Sequence, residues 1–146
     1  SPTVRSSRVE GTRMRSAGDK AARFAEAAPI TMDLPWPPTA LSPNVRQHWV
    51  PFAKAKALYR DLCSSVVSGM TPPLRVPSGA LTLTVEACAP TKRRYDRDNI
   101  LSRMKAGLDG VCSALQFDDS RFDSITIRML PSQGRPGFVR ITIGLL

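Results

Sequence analysis

The chain has 146 residues, the size of one domain, and 42% of them are hydrophobic, which is ordinary for a globular protein. We find no apolar run near the roughly 20 residues needed to cross a bilayer and no secretory signal pattern, so we expect a cytoplasmic protein without a membrane segment. Lys and Arg number 21 against 12 Asp and Glu, a formal net charge of +9, which favours a polyanionic partner such as nucleic acid.

The cysteine and histidine content argues against a structural metal site. Cys63, Cys88 and Cys112 are odd in number, widely separated and surrounded by apolar neighbours, which predicts reduced thiols in a core. Zinc needs close Cys or His ligands, and the sequence holds a single histidine, His48. We expect neither a zinc site nor an organic cofactor.

Residues 1–29 are rich in Arg, Ser, Ala and Gly and show little apolar periodicity. They predict a basic N-terminal extension, flexible or with a short helix near 19–27. Met32 is a candidate start of translation, in which case the preceding segment is an added extension. The domain itself is expected to cover residues 30–146.

The sequence of the first half of the domain predicts one strand and one helix. A strand over 30–34 is expected to end at the proline-rich segment 35–38, because proline lacks a backbone donor and fixes φ. Helical spacing follows over about 52–67, with an expected buried stripe of Phe52, Leu58, Leu62, Val66 and Val67. Trp36 and Trp49 are expected in the core, with stacking on exposed bases as the alternative.

The second half predicts a strand, the clearest helix of the chain, and two further strands. Alternation predicts strands over 81–87, 125–129 and 139–143, the last two as an antiparallel hairpin across a turn rich in Pro and Gly. Apolar residues spaced at about 100° per residue predict a helix over 99–115 with Asp98 as its N-cap. The predicted fold class is α+β, with one small mixed β-sheet packed against two helices in a single domain.

Two carboxylates lie at the junction between the strand over 81–87 and the helix over 99–115. Asp96 and Asp98 are separated by one residue, and their oxygens would converge on Mg²⁺ if the backbone between them were extended. Four basic side chains flank them and would hold phosphates: Lys92, Arg93, Arg94 and Arg97. Taken alone, the pattern also fits a capped helix start with solvated charges.

A helical wheel adds further charged residues to this face of the helix. Asp98, Lys105 and Asp109 fall at the same edge of the apolar stripe, so Lys105 would offset charge at a phosphate held near Asp98. The alternative is a surface pair of Lys105 with Asp109. The adjacent acids Asp118 and Asp119 would deliver a third carboxylate, or else favour a turn.

Together these segments resemble the RusA-type Holliday junction resolvases over roughly residues 32–146. The resemblance rests on an L-P-x-P-P strand end, a D-x-D-N motif, a K-x-x-x-D motif and a D-D pair, in that order. In this chain the strand end is at 34–38 and is followed by a further matching segment at 42–46. The D-x-D-N motif lies within 94–99, the K-x-x-x-D motif is at 105–109 and the D-D pair is at 118–119.

The resemblance implies a homodimer that binds a four-way DNA junction and uses Mg²⁺, or Mn²⁺ in its place, to make paired symmetric nicks. The family's catalytic, metal-binding carboxylates correspond to Asp96, Asp98 and Asp119. The choice of Asp119 over Asp118 rests on the resemblance alone.

The family's essential lysine corresponds to Lys105. The spacing from Asn99 to Lys105 is about one helical turn longer than in the best-known member, although the longer form is similar to phage-borne relatives. Ser102 and Arg103 are therefore rivals for this position.

The polar and basic region over 44–60 is also expected to face DNA, as in similar phage-type sequences. Its candidate contacts are Asn44, Arg46, His48, Lys54 and Lys56. Two other functions stay open on the sequence alone. One is a catalytically silent protein that binds junction or duplex DNA, and the other is an RNA-directed nuclease or RNA-binding module.

Overall fold

A computed structural model describes residues 28–43, 49–70 and 74–146. Its elements are strand β1 (Ile30–Pro35), a 3-10 turn (Thr39–Leu41), helix α1 (Trp49–Ser68), strand β2 (Leu81–Cys88), helix α2 (Arg97–Leu115), a second 3-10 turn (Asp119–Arg121), strand β3 (Phe122–Leu130) and strand β4 (Phe138–Leu145). The predicted N-terminal extension and its short helix lie outside the described residues. No helix in the described ranges is long and apolar enough to cross a membrane.

The four strands form one mixed sheet in the order β1-β4-β2-β3. β4 pairs antiparallel with both β1 and β2, whereas β3 pairs parallel with β2. Because β2 and β3 are parallel, α2 is the crossover between them. With two helices and a single sheet, the predicted α+β class is confirmed.

The predicted antiparallel hairpin of the last two strands is wrong, because β2 lies between β3 and β4. β4 buries Val139, Ile141 and Ile143 completely, which suits a central strand. β3 leaves Ile125 46% exposed and lies at the edge of the sheet. The connecting loop crosses the end of β2 at Gly137, where the backbone has φ +77° and a Cβ would approach Pro90 N to 2.8 Å.

The core lies between one face of the sheet and the two helices. Alternate residues of β1, β2 and β4 point into it, as the burial pattern of β1 illustrates with Ile30, Met32 and Leu34. The opposite face is polar and carries an exposed ion pair in which Arg140 Nε donates to Asp33 Oδ1 at 2.8 Å. The three cysteines are free and buried, which confirms the prediction of reduced core thiols.

The apolar stripe predicted for helix α1 is confirmed at Phe52, Val66 and Val67, which pack on the core, and is wrong at Leu58 and Leu62. Tyr59, Cys63 and Val67 are buried, whereas Leu58 and Leu62 are 65% and 52% exposed. The buried face is fixed by α2, on which a Cβ at Gly107 would lie 2.8 Å from Cys63 Sγ. The two helices can approach this closely only where α2 has glycine. The glycines of α2 therefore decide which face of α1 is buried, even though larger apolar residues lie elsewhere on α1.

Candidate active site

The N-terminus of α2 carries the first pair of predicted ligands. The N-cap is Asp96, whose Oδ1 accepts from Asp98 N at 3.1 Å, so the prediction of Asp98 as N-cap is wrong. Asp98 instead lies within the first helical turn, and the backbone between the two acids is not extended throughout. Asp96 has the extended backbone (φ −81°, ψ 132°) that an N-cap requires. Both carboxylates are exposed beside the positive end of the helix dipole.

Basic side chains surround this helix start, as the sequence predicted. Lys92, Arg93, Arg94 and Arg97 are all exposed within six positions of the acids. Arg93 also lies over the Tyr95 ring, with its guanidinium carbon 5.1 Å from the ring centroid. The segment 92–98, which joins the loop before α2 to its first turn, therefore presents two acids and four cations to solvent.

Asn99 has a structural role that the sequence did not reveal. Its Nδ2 donates to Ser42 Oγ at 2.9 Å, which ties the loop after β1 to the first turns of α2. The last residue of the D-x-D-N motif thus joins two parts of the chain 57 positions apart. The D-x-D-N motif alone gives no signal for this contact, because the partner residue is remote in sequence.

A second acidic group lies beyond the C-terminal end of α2. Asp118 caps the short 3-10 turn, with its Oδ1 accepting from Ser120 N at 3.0 Å. Asp118, Asp119 and Asp109 line one shallow cavity of about 510 Å³. The chain turns back alongside the helix because Gln116 adopts a left-handed conformation at φ 61°.

Electrostatics couple the two acids of this group. The backbone N–H of Ser120 and the hydrogen bond with Asp119 hold the pKa of Asp118 below its usual value. The pKa of Asp119 is raised, first by the hydrogen bond that it shares with Asp118 and then by burial and the Asp118 charge. Lys105 acts in the opposite direction on Asp119. A cation placed here would relieve the repulsion between the two carboxylates.

Lys105 is exposed on α2 and lies with this second group. It lines a cavity of about 250 Å³ together with Asp109 and with Lys56 of α1. Both of its rivals, Ser102 and Arg103, line the same cavity, but Ser102 is exposed whereas Arg103 is buried and donates to a backbone carbonyl. Asp98, Lys105 and Asp109 are all exposed on α2, and the action of Lys105 on a phosphate near Asp98 stays a prediction.

The three predicted metal ligands do not meet within one chain. Asp98 and Asp109 are eleven positions apart, which at about 1.5 Å per residue separates them by about 16 Å along α2. Asp119 lies beside Asp109 rather than beside Asp98. Within the described ranges, no three His, Cys, Asp or Glu side chains are grouped so that they could hold a metal ion.

The donor chemistry at the helix start still fits a hard divalent cation. Mg²⁺ commonly uses only one or two protein carboxylates, completes its shell with water and substrate phosphates, and needs oxygen ligands at about 2.0–2.1 Å. Asp96 and Asp98 offer two exposed carboxylates, of which one Asp96 oxygen also accepts the capping hydrogen bond. In the described part of a single chain, the helix start would therefore offer a cation two carboxylates, not the three that the resemblance implies.

The structure describes two of the predicted DNA contacts in the region 44–60, both of them on α1. Lys54 and Lys56 are exposed, and because they are two positions apart they lie on different sides of the helix. Lys56 Nζ lies 5.9 Å from the centroid of the Phe52 ring and faces the groove that holds Lys105. Three further predicted contacts lie outside the described residues: Asn44, Arg46 and His48.

A comparison with known proteins finds a similar protein, but its description names no activity. No protein-family model matches the chain. A protein of Xylella fastidiosa (strain Temecula1 / ATCC 700964), described only as an uncharacterized protein, is 37% identical over 99 residues. The aligned region is 64% of this chain and 63% of the relative, so this chain matches less than two thirds of the relative's length.

Proposed function

We propose that the protein is a Mg²⁺-dependent endonuclease that cuts branched DNA, with the four-way junction as its substrate. The observation that carries the proposal is the exposed pair Asp96 and Asp98 at the start of α2, surrounded by exposed cations. Carboxylates recruit a hard cation, and arginines beside them recruit the phosphates on which that cation acts. The net charge of +9 and the resemblance to RusA-type resolvases support the same activity.

Each residue at the helix start has a defined task in this proposal. Asp96 and Asp98 hold the cation, and the capping hydrogen bond fixes the orientation of the Asp96 carboxylate. Arg94 and Arg97 bind the phosphates that flank the scissile bond, which fixes the strand relative to the acids. Bound here, Mg²⁺ supplies activation of the phosphodiester and of an attacking water.

Asp119 and Lys105 join the proposal through a second copy of the chain. In a homodimer that sets two α2 helices antiparallel, the second acidic group of one copy would lie beside the helix start of the other. This arrangement accounts for a three-carboxylate motif in which Asp119 lies beside Asp109, about 16 Å along α2 from Asp98. It also produces two identical sites related by a two-fold axis, which suits paired nicks in a symmetric four-way junction.

A second candidate function is binding of junction or duplex DNA without cleavage. It is favoured by the lack of a three-ligand group in the described residues of one chain. In that case the basic surface would give affinity with a steep salt dependence and no metal requirement.

Cleavage of a synthetic four-way junction, labelled on one strand at a time, separates the two functions. The protein is expected to give symmetric nicks with Mg²⁺ and none with EDTA, while binding the junction in both conditions. Asp98→Asn is expected to keep binding and lose cleavage, and Asp61→Asn, at an exposed acid on α1, is the matched control that retains both. An intact junction after incubation of the wild-type protein with Mg²⁺ or Mn²⁺ would establish the binding function instead.

A further inference from the structure

A cavity separate from the acidic groups opens at one end of the sheet. Its volume is about 460 Å³, within the roughly 300–1,000 Å³ typical of small-molecule sites. The loops that follow β1, β2 and β3 all reach this end, because the register pairs Pro35, Cys88 and Leu130 at the same level. The lining includes two aromatic side chains and three arginines, and no carboxylate: Trp36, Tyr95, Arg93, Arg103 and Arg135.

Arg103 is the unusual member of this lining. It is only 3% exposed, and its Nη2 donates to Pro37 O at 2.6 Å. Its Nε is buried and has no hydrogen-bond partner among the described residues. No ion pair to Arg103 is present in the described part of the chain, although a buried guanidinium is costly unless an anion compensates it. An anionic ligand would supply the missing charge.

The aromatic residues indicate what else the ligand contains. Trp36 and Tyr95 meet edge to face, with ring centroids 5.3 Å apart and planes at 72°. Each ring has a guanidinium over it, Arg103 on Trp36 at 5.7 Å and Arg93 on Tyr95 at 5.1 Å. Alternating aromatic and guanidinium groups bind nucleobases by stacking and phosphates by charge-assisted hydrogen bonds.

We infer that this cavity, hereafter the arginine–aromatic pocket, holds one unstacked nucleotide of a DNA strand. Its base would pack against Trp36 and Tyr95, and its phosphates would bind Arg93, Arg103 and Arg135. The identity of the strand as DNA rests on the proposed function. Tyr95 directly precedes Asp96, so a nucleotide in the pocket would fix the strand next to the proposed cutting position.

Fluorescence of Trp36 tests the pocket directly. The sequence has two tryptophans, so Trp49→Phe leaves Trp36 as the sole emitter. In EDTA, the deoxy tetranucleotide (dT)₄ is expected to quench this emission saturably. An abasic tetramer of equal charge is expected to bind at least five-fold more weakly. (rU)₄ is expected to bind no more tightly than (dT)₄.

Variants in the same Trp49→Phe background assign the effect to the pocket. Arg135→Ala, on an exposed loop, is expected to weaken (dT)₄ binding at least five-fold, as is Arg103→Met if circular dichroism shows that it folds. Arg128→Ala, at an exposed arginine on the polar face of β3, is the control and is expected to change binding less than two-fold. The Arg135 variant keeps the test decisive even if Arg103→Met does not fold.

Several results would overturn the inference. They are the lack of saturable quenching at millimolar (dT)₄, equal binding of the abasic tetramer, tighter binding of (rU)₄, and equal affinity of the Arg135→Ala variant. Because the titration contains no cleavage step, its failure together with normal junction cutting would refute the pocket alone. Saturable quenching in a protein that leaves junctions intact would refute the nuclease function alone.

Discussion

The backbone N–H of Asp98 donates to the carboxylate of Asp96, so one proposed metal ligand caps the helix that carries the other. Asp96 therefore has a structural role and a chemical role on the same side chain. The two roles are separable, because an amide oxygen can cap a helix but is a much weaker ligand for Mg²⁺ than a carboxylate.

Asp96→Asn is expected to leave the free energy of unfolding within about 0.5 kcal/mol of wild type, since Asn and Asp are comparable N-caps. Asp96→Ala is expected to lower it by about 1 kcal/mol because the cap is lost. Both variants should lose Mg²⁺-dependent junction cutting. Urea denaturation and a nicking assay measure the two effects, and retained cutting by the Asn variant would remove Asp96 from the metal site.

Mixing two inactive variants tests whether the site is shared between two copies. If Asp119 acts on the partner's site, a heterodimer of Asp96→Asn and Asp119→Asn chains holds one intact site and one site with both changes. After unfolding and refolding together, the mixture is expected to regain single nicks of the junction, while each variant alone stays inactive. If all three acids acted within one chain, every site in the mixture would carry one change, and no activity would return.

Gly110→Ala tests the close contact between α1 and α2. A Cβ on Gly110 would collide with the backbone carbonyl oxygen of Arg60, which cannot move without shifting α1. Overpacking of this kind costs about 1–3 kcal/mol of unfolding free energy. Gly69→Ala is the control, because its Cβ would lie at an ordinary 3.4 Å from Ser65 O. Equal stability of the two variants in thermal unfolding would contradict the helix contact.

The buried face of α1 is tested by comparing neighbouring side chains. Tyr59 is 1% exposed and donates to Pro35 O at 2.7 Å, so Tyr59→Ala is expected to cost about 3–5 kcal/mol. Leu58→Ala should cost less than about 1 kcal/mol, because the side chain is 65% exposed. A cost for Leu58→Ala as large as that for Tyr59→Ala, measured by urea denaturation, would show that Leu58 is covered in solution.

Stability is expected to fall at alkaline pH. Burial raises the pKa of Cys63 from 9.0 to about 11, and burial also raises the pKa of Tyr59, so folding favours the neutral forms of both side chains. This contribution is complete below pH 9, the unfolded value for Cys63, and is lost as the pH rises toward 11. The urea midpoint should therefore decline above pH 9, and less steeply in Cys63→Ala. A midpoint that rises would instead indicate relief of repulsion among the lysines.

Local sequence was sufficient to predict most elements and the chemistry at the start of α2. Alternation and helical spacing predicted strands and helices from their own residues, because each pattern reflects which side chains one element buries. The association of Asp96 and Asp98 with basic neighbours was predicted for the same reason, since all of them lie within one short segment. The N-cap was misplaced by two residues because either Asp can cap the helix, and only the backbone conformation distinguishes them.

Contacts between distant segments were decided by the tertiary structure. The strand order placed β4 in the centre, because Val139, Ile141 and Ile143 of β4 are fully buried while β3 tolerates exposure at the edge. The buried face of α1 was set by glycines on another helix, Gly107 and Gly110, which its own periodicity does not record.

The sequence by itself determined that Asp96, Asp98 and the adjacent cations share one exposed helix start. Only the tertiary structure decided that Asp119 lies toward the opposite end of α2 and that Arg103 is buried in the arginine–aromatic pocket. The physical reason is that residue spacing reports only which residues of one segment lie together. The parallel pairing of β2 and β3 across α2, which involves distant segments, decides which ends of those segments meet.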